Sequence, residues 1–258
     1  MAKGAGATYA KFQKRDVKAT LGTPEYDRPH PVPYNAYGTS YGAHREYLEF
    51  DQDQHAELKA YCESIGMQYA TSVWDITSAH EIIALKPDYI KIPSACNTNH
   101  ELLETLVNDY PGGIHVSTGM TTRAEEEQLL KILSPAASRV VFYACTSGYP
   151  VPFEDASILE ISRLREAYGK VIAAVGFSGH HLGIAIDIAA YTLGAQWIER
   201  HFTKDRTWKG TDHAASLEPG GLGKLIRNLD ATYKSLTYKK SEILEIEQVQ
   251  RDKLKYQP

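Results

Sequence analysis

Residues 171–203 read VIAAVGFSGHHLGIAIDIAAYTLGAQWIERHFT. At each end lies a short segment rich in β-branched and aromatic residues, VIAAVGFS (171–178) and QWIERHFT (196–203), as expected of β-strands. Between them, GIAIDIAAYTLGA (183–195) has the apolar spacing of a helix. Two strands joined by a helical crossover pair in parallel, so this segment predicts a βαβ unit and an α/β fold.

The same alternation extends toward the N-terminus. The other strand candidates are ATYAKFQ (7–13), MQYATSV (67–73), DYIKIPS (88–94), GIHVSTG (113–119) and RVVFYACT (139–146). Helical patterns lie between them, and several open with Asp, Ser, Thr or Asn and close on Gly, as capped helices do. Seven strands alternating with helices in 258 residues predict one α/β domain, a TIM-type (β/α) barrel.

Two segments depart from this rhythm. Residues 16–49 are rich in Pro, Gly and Tyr. Because an insertion after a barrel strand falls on the C-terminal rim, we expect a rim insertion or lid there, the alternative being a surface loop without substrate contact. Residues 241–256, within SEILEIEQVQRDKLKYQP, predict a polar C-terminal helix. Residues 1–258 are thus expected to form a single barrel with these two additions.

The composition argues against several classes of function. The formal net charge is -4 and no block is rich in Lys and Arg, so we expect no nucleic-acid partner. No run approaches the roughly 18 apolar residues of a membrane span, and the first residues lack the apolar core of a signal peptide. Cys62, Cys96 and Cys145 show no CxxC spacing and are expected to be reduced thiols. We expect a soluble, cytoplasmic protein.

Polar residues follow the strand candidates at their C-terminal ends, the face of a parallel barrel that carries chemistry. In chain order they are Lys11, Gln13, Thr71, Ser72, Lys91, Ser94, Ser117, Thr118, Thr146, Ser147, Tyr149, Ser178, His180 and His201. Two lysines and several hydroxyls in one cavity predict a site for a phosphate and a carboxylate. Taken singly, a lysine there is more often a snorkelling surface residue, and Ser or Thr more often caps a helix, so the prediction depends on the set.

Two histidines end this series. His180 and His201 follow neighbouring strands and are expected to lie close enough to share a divalent cation. Two neutral imidazoles leave open positions for water and a substrate oxygen. For an isolated pair, hydrogen-bonded core or rim histidines are the alternative. His181 should point the other way on an extended backbone and is left outside the site.

The segment GFSGHHLGIAIDIAAYTLGAQWIERHFTKDRTWKGTDHAASLEP (176–219) resembles the signature region of the N-acetylneuraminate (sialic acid) synthase family. The similarity extends, in family order, to AGATYAKFQKR near the start and to YGAHREYLEFDQDQHAELKAYCESIGM, KIPSACNTN, VSTGM and CTSGYP, so it covers nearly the whole chain. Such a long match is far more specific than one short motif. The form TWKGTDHAASLEP is more similar to animal-type synthases than to bacterial legionaminate or pseudaminate enzymes.

The resemblance implies a transferase that condenses phosphoenolpyruvate with N-acetylmannosamine or its 6-phosphate, giving N-acetylneuraminate or its 9-phosphate and phosphate. It implies a divalent metal, Mn2+ before Mg2+ or Co2+, held by His180 and His201. The residues implied to surround phosphoenolpyruvate are Lys11, Ser72, Lys91, Ser94, Ser147 and Ser178. Those implied to hold the N-acyl amino sugar and to act in catalysis are Gln13, Tyr149 and Asp212.

The family pattern is incomplete in this sequence. The family's opening strand and helix, with an AEIGxNH-like motif, and its C-terminal antifreeze-like domain have no counterpart in the 258 residues. We therefore expect a barrel that lacks its first βα unit and has two edge strands. The resemblance leaves a homodimer open. Two alternatives also stay open: another phosphoenolpyruvate-dependent deoxy sugar acid synthase, or a non-catalytic or subunit-dependent remnant that binds phosphoenolpyruvate or metal.

Overall fold

The computed structural model describes residues 1–256 of the chain. Its strands are β1 (Tyr9–Lys14), β2 (Gln68–Val73), β3 (Tyr89–Ile92), β4 (Gly113–Ser117), β5 (Val140–Cys145), β6 (Ala174–Gly179) and β7 (Trp197–Arg200). They form one parallel sheet in which each strand pairs with the next along the chain. The predicted seven-stranded α/β fold is confirmed.

Helices separate the strands. They are α1 (Ala2–Ala5), α2 (Val17–Thr20), α3 (Thr23–Asp27), α4 (Tyr41–Leu48), α5 (Gln52–Ser64), α6 (Ile76–Leu85), α7 (His100–Asp109), α8 (Arg123–Leu133), α9 (Glu160–Tyr168), α10 (Ala185–Thr192), α11 (Pro219–Ser235) and α12 (Glu245–Leu254). Polar side chains fix several of their starts: Asp51 accepts a hydrogen bond from the backbone N–H of Gln54, which would otherwise lack a partner. Among these helices, none is both long and apolar enough to cross a bilayer.

The apolar core lies between the outer face of the sheet and the surrounding helices. Ile90 and Ile92 of β3 and Leu106 of α7 are fully buried there. Each such side chain contributes roughly 1.5–3 kcal/mol when it leaves water. Because side chains alternate along a strand, Lys91, between the two isoleucines, points to the inside of the curled sheet.

Aromatic side chains fill the interior and bring the two edge strands together. The ring centroid of Tyr9 on β1 lies 5.5 Å from that of Trp197 on β7. Gly176 on β6 permits this packing, since a Cβ there would lie 2.7 Å from the Tyr143 ring and 3.0 Å from Trp197. The sheet therefore curls until its first and last strands contact each other through their side chains.

Residues 16–49 cross the C-terminal rim between β1 and α5. They contain α2, α3, α4 and a 3-10 turn at Pro33–Asn35. The Tyr37 hydroxyl donates a hydrogen bond to the carbonyl oxygen of Lys209 at 2.8 Å, and the Gly210 N–H donates to Asn35 Oδ1 at 3.2 Å. The rim segment is thus attached to the loop that follows β7.

β7 is shorter than the predicted strand 196–203. The Leu217 N–H donates to the carbonyl oxygen of His201 at 2.8 Å, and the Thr203 N–H donates to that of Leu217 at 3.0 Å. The backbone groups of His201 and Thr203 are therefore hydrogen-bonded to Leu217, in the loop before α11, and do not pair with β6. The ladder therefore ends at Arg200.

Acid is expected to destabilise the fold through His115, which is enclosed inside the curled sheet. Its ring stacks on Tyr89 with 3.8 Å between centroids, and its Nδ1 lies 2.9 Å from the Tyr143 hydroxyl. Burial, and then the charge of Lys91, lowers the pKa of His115 to about 3. Below its usual pKa of about 6.5 the unfolded chain takes up a proton that the folded chain does not, so the free energy of unfolding falls by about 1.4 kcal/mol per pH unit.

Urea unfolding at about pH 8 and pH 5.5 measures this contribution. In His115→Gln the difference between the two pH values should shrink by about 1.4 kcal/mol. His100→Gln, at an exposed position, serves as the matched control. An undiminished pH dependence in His115→Gln would contradict the prediction.

Candidate active site

Two lysines share one carboxylate at the C-terminal mouth of the curled sheet. Lys91 Nζ lies 2.5 Å from Glu199 Oε1, and Lys11 Nζ lies 3.9 Å from the other oxygen of the same carboxylate. The Ser178 hydroxyl donates to Glu199 at 3.0 Å, and Lys11 donates to the Ser72 hydroxyl at 3.0 Å. The inward positions of five strands thus form one group of two ammonium ions, a carboxylate and two hydroxyls.

Glu199 is the member of this group that the sequence interpretation missed. Burial acts to raise the pKa of Glu199, but the charges of Lys11 and Lys91 outweigh it and hold the pKa well below its usual range. Burial lowers the pKa of Lys11, and Glu199 opposes that shift. A signal was available: Glu199 precedes His201 by two residues, which places both on one side of an extended chain.

Ser94 and Ser147 meet at Gly119, in the loop after β4. A Cβ on Gly119 would lie 2.6 Å from each of the two hydroxyl oxygens, so any larger residue there would displace both hydroxyls. The Ser94 hydroxyl lies 3.8 Å from the sulfur of Cys145. A cavity of about 650 Å³ opens beside Ser147 and Cys145, but its lining includes neither the lysines nor the histidines of the mouth.

The two histidines lie side by side. The ring centroids of His180 and His201 are 5.3 Å apart, and the Tyr149 ring is 4.3 Å from His180. Asp212 Oδ2 lies 3.6 Å from His201 Nδ1. His180 Nδ1 lies 3.0 Å from the carbonyl oxygen of Thr146, so a proton on Nδ1 leaves Nε2 free as a ligand atom.

This pair fits a divalent ion that takes its other ligands from water and substrate. Burial lowers the pKa of His201 to about 4, although Asp212 opposes the shift, so the ring is neutral near pH 7, as a metal ligand must be. Burial also disfavours a charged His180, but contact with Cys145 raises its pKa overall. Within residues 1–256, no three His, Cys, Asp or Glu side chains gather as a metal cage. Two imidazoles with open positions remain a suitable donor set.

Gln13 completes the mouth on the β1 side. Its side-chain oxygen accepts a hydrogen bond from Trp74 Nε1 at 3.1 Å, and it lies opposite Ser72 in the strand register. Among the polar candidates at strand ends, Thr71 faces the other side of β2, where its hydroxyl donates to the Tyr69 hydroxyl. The residues predicted to bind substrate and metal come together at one mouth. Their individual roles in binding and catalysis stay predictions.

A buried arginine supports this mouth from behind. The Arg200 guanidinium contacts Asp187 Oδ2 at 2.5 Å and the carbonyl oxygen of His181 at 2.7 Å. The Asp187 side chain is fully buried, and that of Arg200 is 2% exposed. His181 turns away from the mouth, with its Nε2 3.3 Å from Asp187. Because Arg200 lies between Glu199 and His201, this network holds the strand end that carries both.

A curled parallel sheet with charged and polar side chains gathered at its C-terminal mouth defines a TIM-type barrel enzyme. The NeuB family model matches residues 1–241. The chain is 35% identical to human N-acetylneuraminate-9-phosphate synthase over 98% of this chain and 70% of that protein. It is 30% identical to N,N'-diacetyllegionaminic acid synthase of Campylobacter jejuni, over 92% of this chain and 70% of that protein. The crystal structure of N-acetylneuraminic acid (sialic acid) synthetase from Leptospira borgpetersenii has a TM-score of 0.80 and 26% identity, over 99% of this chain and 85% of that one.

The chain belongs to the NeuB family. The resemblance inferred from residues 176–219 and from the motifs that precede them is confirmed, and so is the prediction of a sialic-acid-synthase-type enzyme. The family match ends at residue 241, just before the segment that contains α12.

Proposed function

We propose that the chain condenses phosphoenolpyruvate with N-acetylmannosamine 6-phosphate to give N-acetylneuraminate 9-phosphate and phosphate. The observation that carries the proposal is the pairing of Lys11 and Lys91 in a mouth that also holds His180 and His201. The name of the human relative supports the 9-phosphate product. Three carbons added to a six-carbon sugar turn its C6 into C9, so the acceptor would carry its phosphate on C6.

Phosphoenolpyruvate carries a phosphate and a carboxylate, both of which match the ammonium and hydroxyl groups of the mouth. Lys91 and Lys11 would neutralise this charge, while Ser94 and Ser147 would orient the anion. C3 of phosphoenolpyruvate then forms the new bond to the aldehyde carbon of the open-chain sugar. The aldehyde oxygen becomes a hydroxyl, water adds at C2, and phosphate departs by C–O cleavage. The contribution of these residues is orientation and charge stabilisation.

The proposal includes a divalent metal, Mn2+ before Mg2+ or Co2+, held by His180 and His201. When bound, such an ion polarises the aldehyde oxygen of the acceptor. Asp212, 3.6 Å from His201, would hold the reacting end of the sugar, and Tyr149 would form a wall beside both imidazoles. A cytoplasmic location and a homodimer are proposals that rest on the resemblance alone.

Phosphate release from phosphoenolpyruvate by the purified chain tests the reaction. It is measured with N-acetylmannosamine 6-phosphate, with N-acetylmannosamine and without sugar, each with Mn2+ and after chelation. We expect release to require metal and a sugar, and to be much faster with the sugar phosphate than with the unphosphorylated sugar. If only the unphosphorylated sugar supported release, N-acetylmannosamine would be the acceptor in place of its 6-phosphate. If folded protein released no phosphate with either sugar, the chain would be the non-catalytic or subunit-dependent remnant.

His201→Ala should lower turnover by about 100-fold or more even at saturating Mn2+, because metal polarisation of a carbonyl is worth several kcal/mol. The fold should persist, which circular dichroism and thermal unfolding can verify. His100→Ala, at an exposed position of α7, is the matched control. Retained turnover in His201→Ala would reject the proposed metal site.

A further inference from the structure

A group of positive charges lies on the rim, outside the site described above. The basic rim cluster consists of Arg28, Arg45 and Lys209. Arg28 precedes the 3-10 turn of the rim segment, Arg45 lies in α4, and Lys209 lies in the loop after β7. Over the described residues 1–256, none of the three forms an ion pair with a carboxylate.

Aromatic rings, in place of acids, surround this cluster. The Arg28 and Arg45 guanidinium carbons lie over the Tyr41 ring, 4.6 Å and 5.0 Å from its centroid. Lys209 Nζ lies over the Tyr37 ring at 4.5 Å. Such contacts stabilise a cation without neutralising it. The positive charge therefore stays available to an anion.

Buried His44 lies between these groups and responds to their charge. Its Nδ1 accepts a hydrogen bond from the Tyr37 N–H at 3.1 Å. Burial, followed by the positive charges of His30, Arg45, Arg15 and Lys209, lowers the pKa of His44 to about 4. Arg45 and Lys209 thus both lie near enough to His44 to disfavour its protonated form.

The carboxylates of α4 and its C-terminal end have other partners. Glu46 accepts a hydrogen bond from the Tyr26 hydroxyl at 2.8 Å, and Glu49 pairs with Arg15 at 2.5 Å. Like charges held together without a counterion repel one another, and a bound anion removes that cost.

Lys209 is fixed close to the reacting centre. Its carbonyl oxygen is held by Tyr37, and the next residue is held by Asn35. Asp212, three residues further on, lies 3.6 Å from His201. The backbone from Lys209 to Asp212 spans at most about 10 Å, so the loop that carries Lys209 lies within reach of an open six-carbon sugar bearing a terminal phosphate.

We propose that Lys209 binds the phosphate ester of the acceptor sugar and selects the phosphorylated sugar over the free one. This rests on the proposed function, which brings the sugar aldehyde to the histidine pair. The far end of the chain then points to the rim, where a compact ammonium ion suits three phosphate oxygens.

The test compares Lys209→Met with the parent in two measurements. Calorimetric titration should show N-acetylmannosamine 6-phosphate binding about 10- to 100-fold more weakly, as expected for loss of a charge-assisted contact. The ratio of kcat/KM for the phosphorylated sugar to that for N-acetylmannosamine should fall by a similar factor. Lys209→Arg should restore most of this preference. Lys204→Met is the matched control, since Lys204 lies in the same loop over Trp208 at 5.5 Å.

An unchanged affinity and ratio in Lys209→Met would overturn the subsite, as would equal weakening of both sugars or the same loss in Lys204→Met. Failure of the proposed function gives a different pattern. A parent protein that binds the sugar phosphate through Lys209, yet releases no phosphate from phosphoenolpyruvate, would reject the reaction while supporting the subsite.

Discussion

Lys91→Met is expected to lower kcat/KM for phosphoenolpyruvate by about 100- to 1000-fold, the range found when one preorganised charge-stabilising group is removed. Lys91 is 2% exposed, lies 2.5 Å from Glu199 and sits over the Tyr143 ring at 4.2 Å. Its charge therefore acts in a partly dry mouth, where electrostatic attraction exceeds that in water. Methionine fills a similar volume, and Lys11 still faces Glu199, so the fold should persist. Steady-state phosphate release at varied phosphoenolpyruvate measures the effect.

Lys14→Met separates loss of a site charge from loss of a buried ion pair. Lys14 lies at the end of the edge strand β1, and its side chain is also nearly buried, at 8% exposed, but it pairs with Glu81 outside the mouth at 2.9 Å. We expect it to lose stability like Lys91→Met and to keep kcat/KM within about threefold, because it removes no charge from the anion site. Similar losses of activity in both variants would exclude a specific role for Lys91.

The central strands were predictable because each is a short run buried on both faces, whereas the edge strands β1 and β7 are largely half-buried. β5 shows this clearly, with Val140–Ala144 all buried. Strand ends were less predictable because long-range hydrogen bonds set them. Nothing in QWIERHFT indicates that Leu217 would capture the backbone of His201 and Thr203. The strand-like sequence pattern continues to residue 203, but the hydrogen bonds to Leu217 end the pairing of β7 with β6 at Arg200.

The position of the mouth was also predictable. The C-terminal ends of parallel barrel strands meet at one face, so polar side chains at those ends come close together. Glu199 was missed because a lone acid in ERHFT resembles a solvated charge until two lysines from distant strands are placed beside it. The contact between Tyr37 and Lys209 joins residues 172 positions apart and has no local signature. Sequence patterns therefore predict which face carries the chemistry, and three-dimensional contacts decide which charges are paired.

Arg200→Ala is expected to lower the free energy of unfolding by about 3–5 kcal/mol, the cost of leaving one partner of a buried ion pair uncompensated. Asp187, fully buried on α10, would keep only His181 as a neighbour that can be charged. The loop with His180 would lose its link to the end of β7. Urea unfolding measures the stability. Titration of turnover with Mn2+ measures the metal concentration that gives half-maximal activity, and we expect this concentration to rise.

A double variant shows whether the stability lost in Arg200→Ala comes from the missing Arg200–Asp187 ion pair or from the unpaired Asp187 carboxylate that stays buried. Arg200→Met with Asp187→Leu should recover much of the stability lost in Arg200→Ala, because no unpaired charge stays buried. The Mn2+ concentration for half-maximal turnover should stay raised, because neither methionine nor leucine can donate a hydrogen bond to the His181 carbonyl oxygen. Arg165→Ala, which removes an exposed guanidinium bonded to the Leu193 carbonyl oxygen at 2.9 Å, should cost about 1 kcal/mol or less. A fully active and stable Arg200→Ala would mean that the two metal-site loops hold their positions without this arginine.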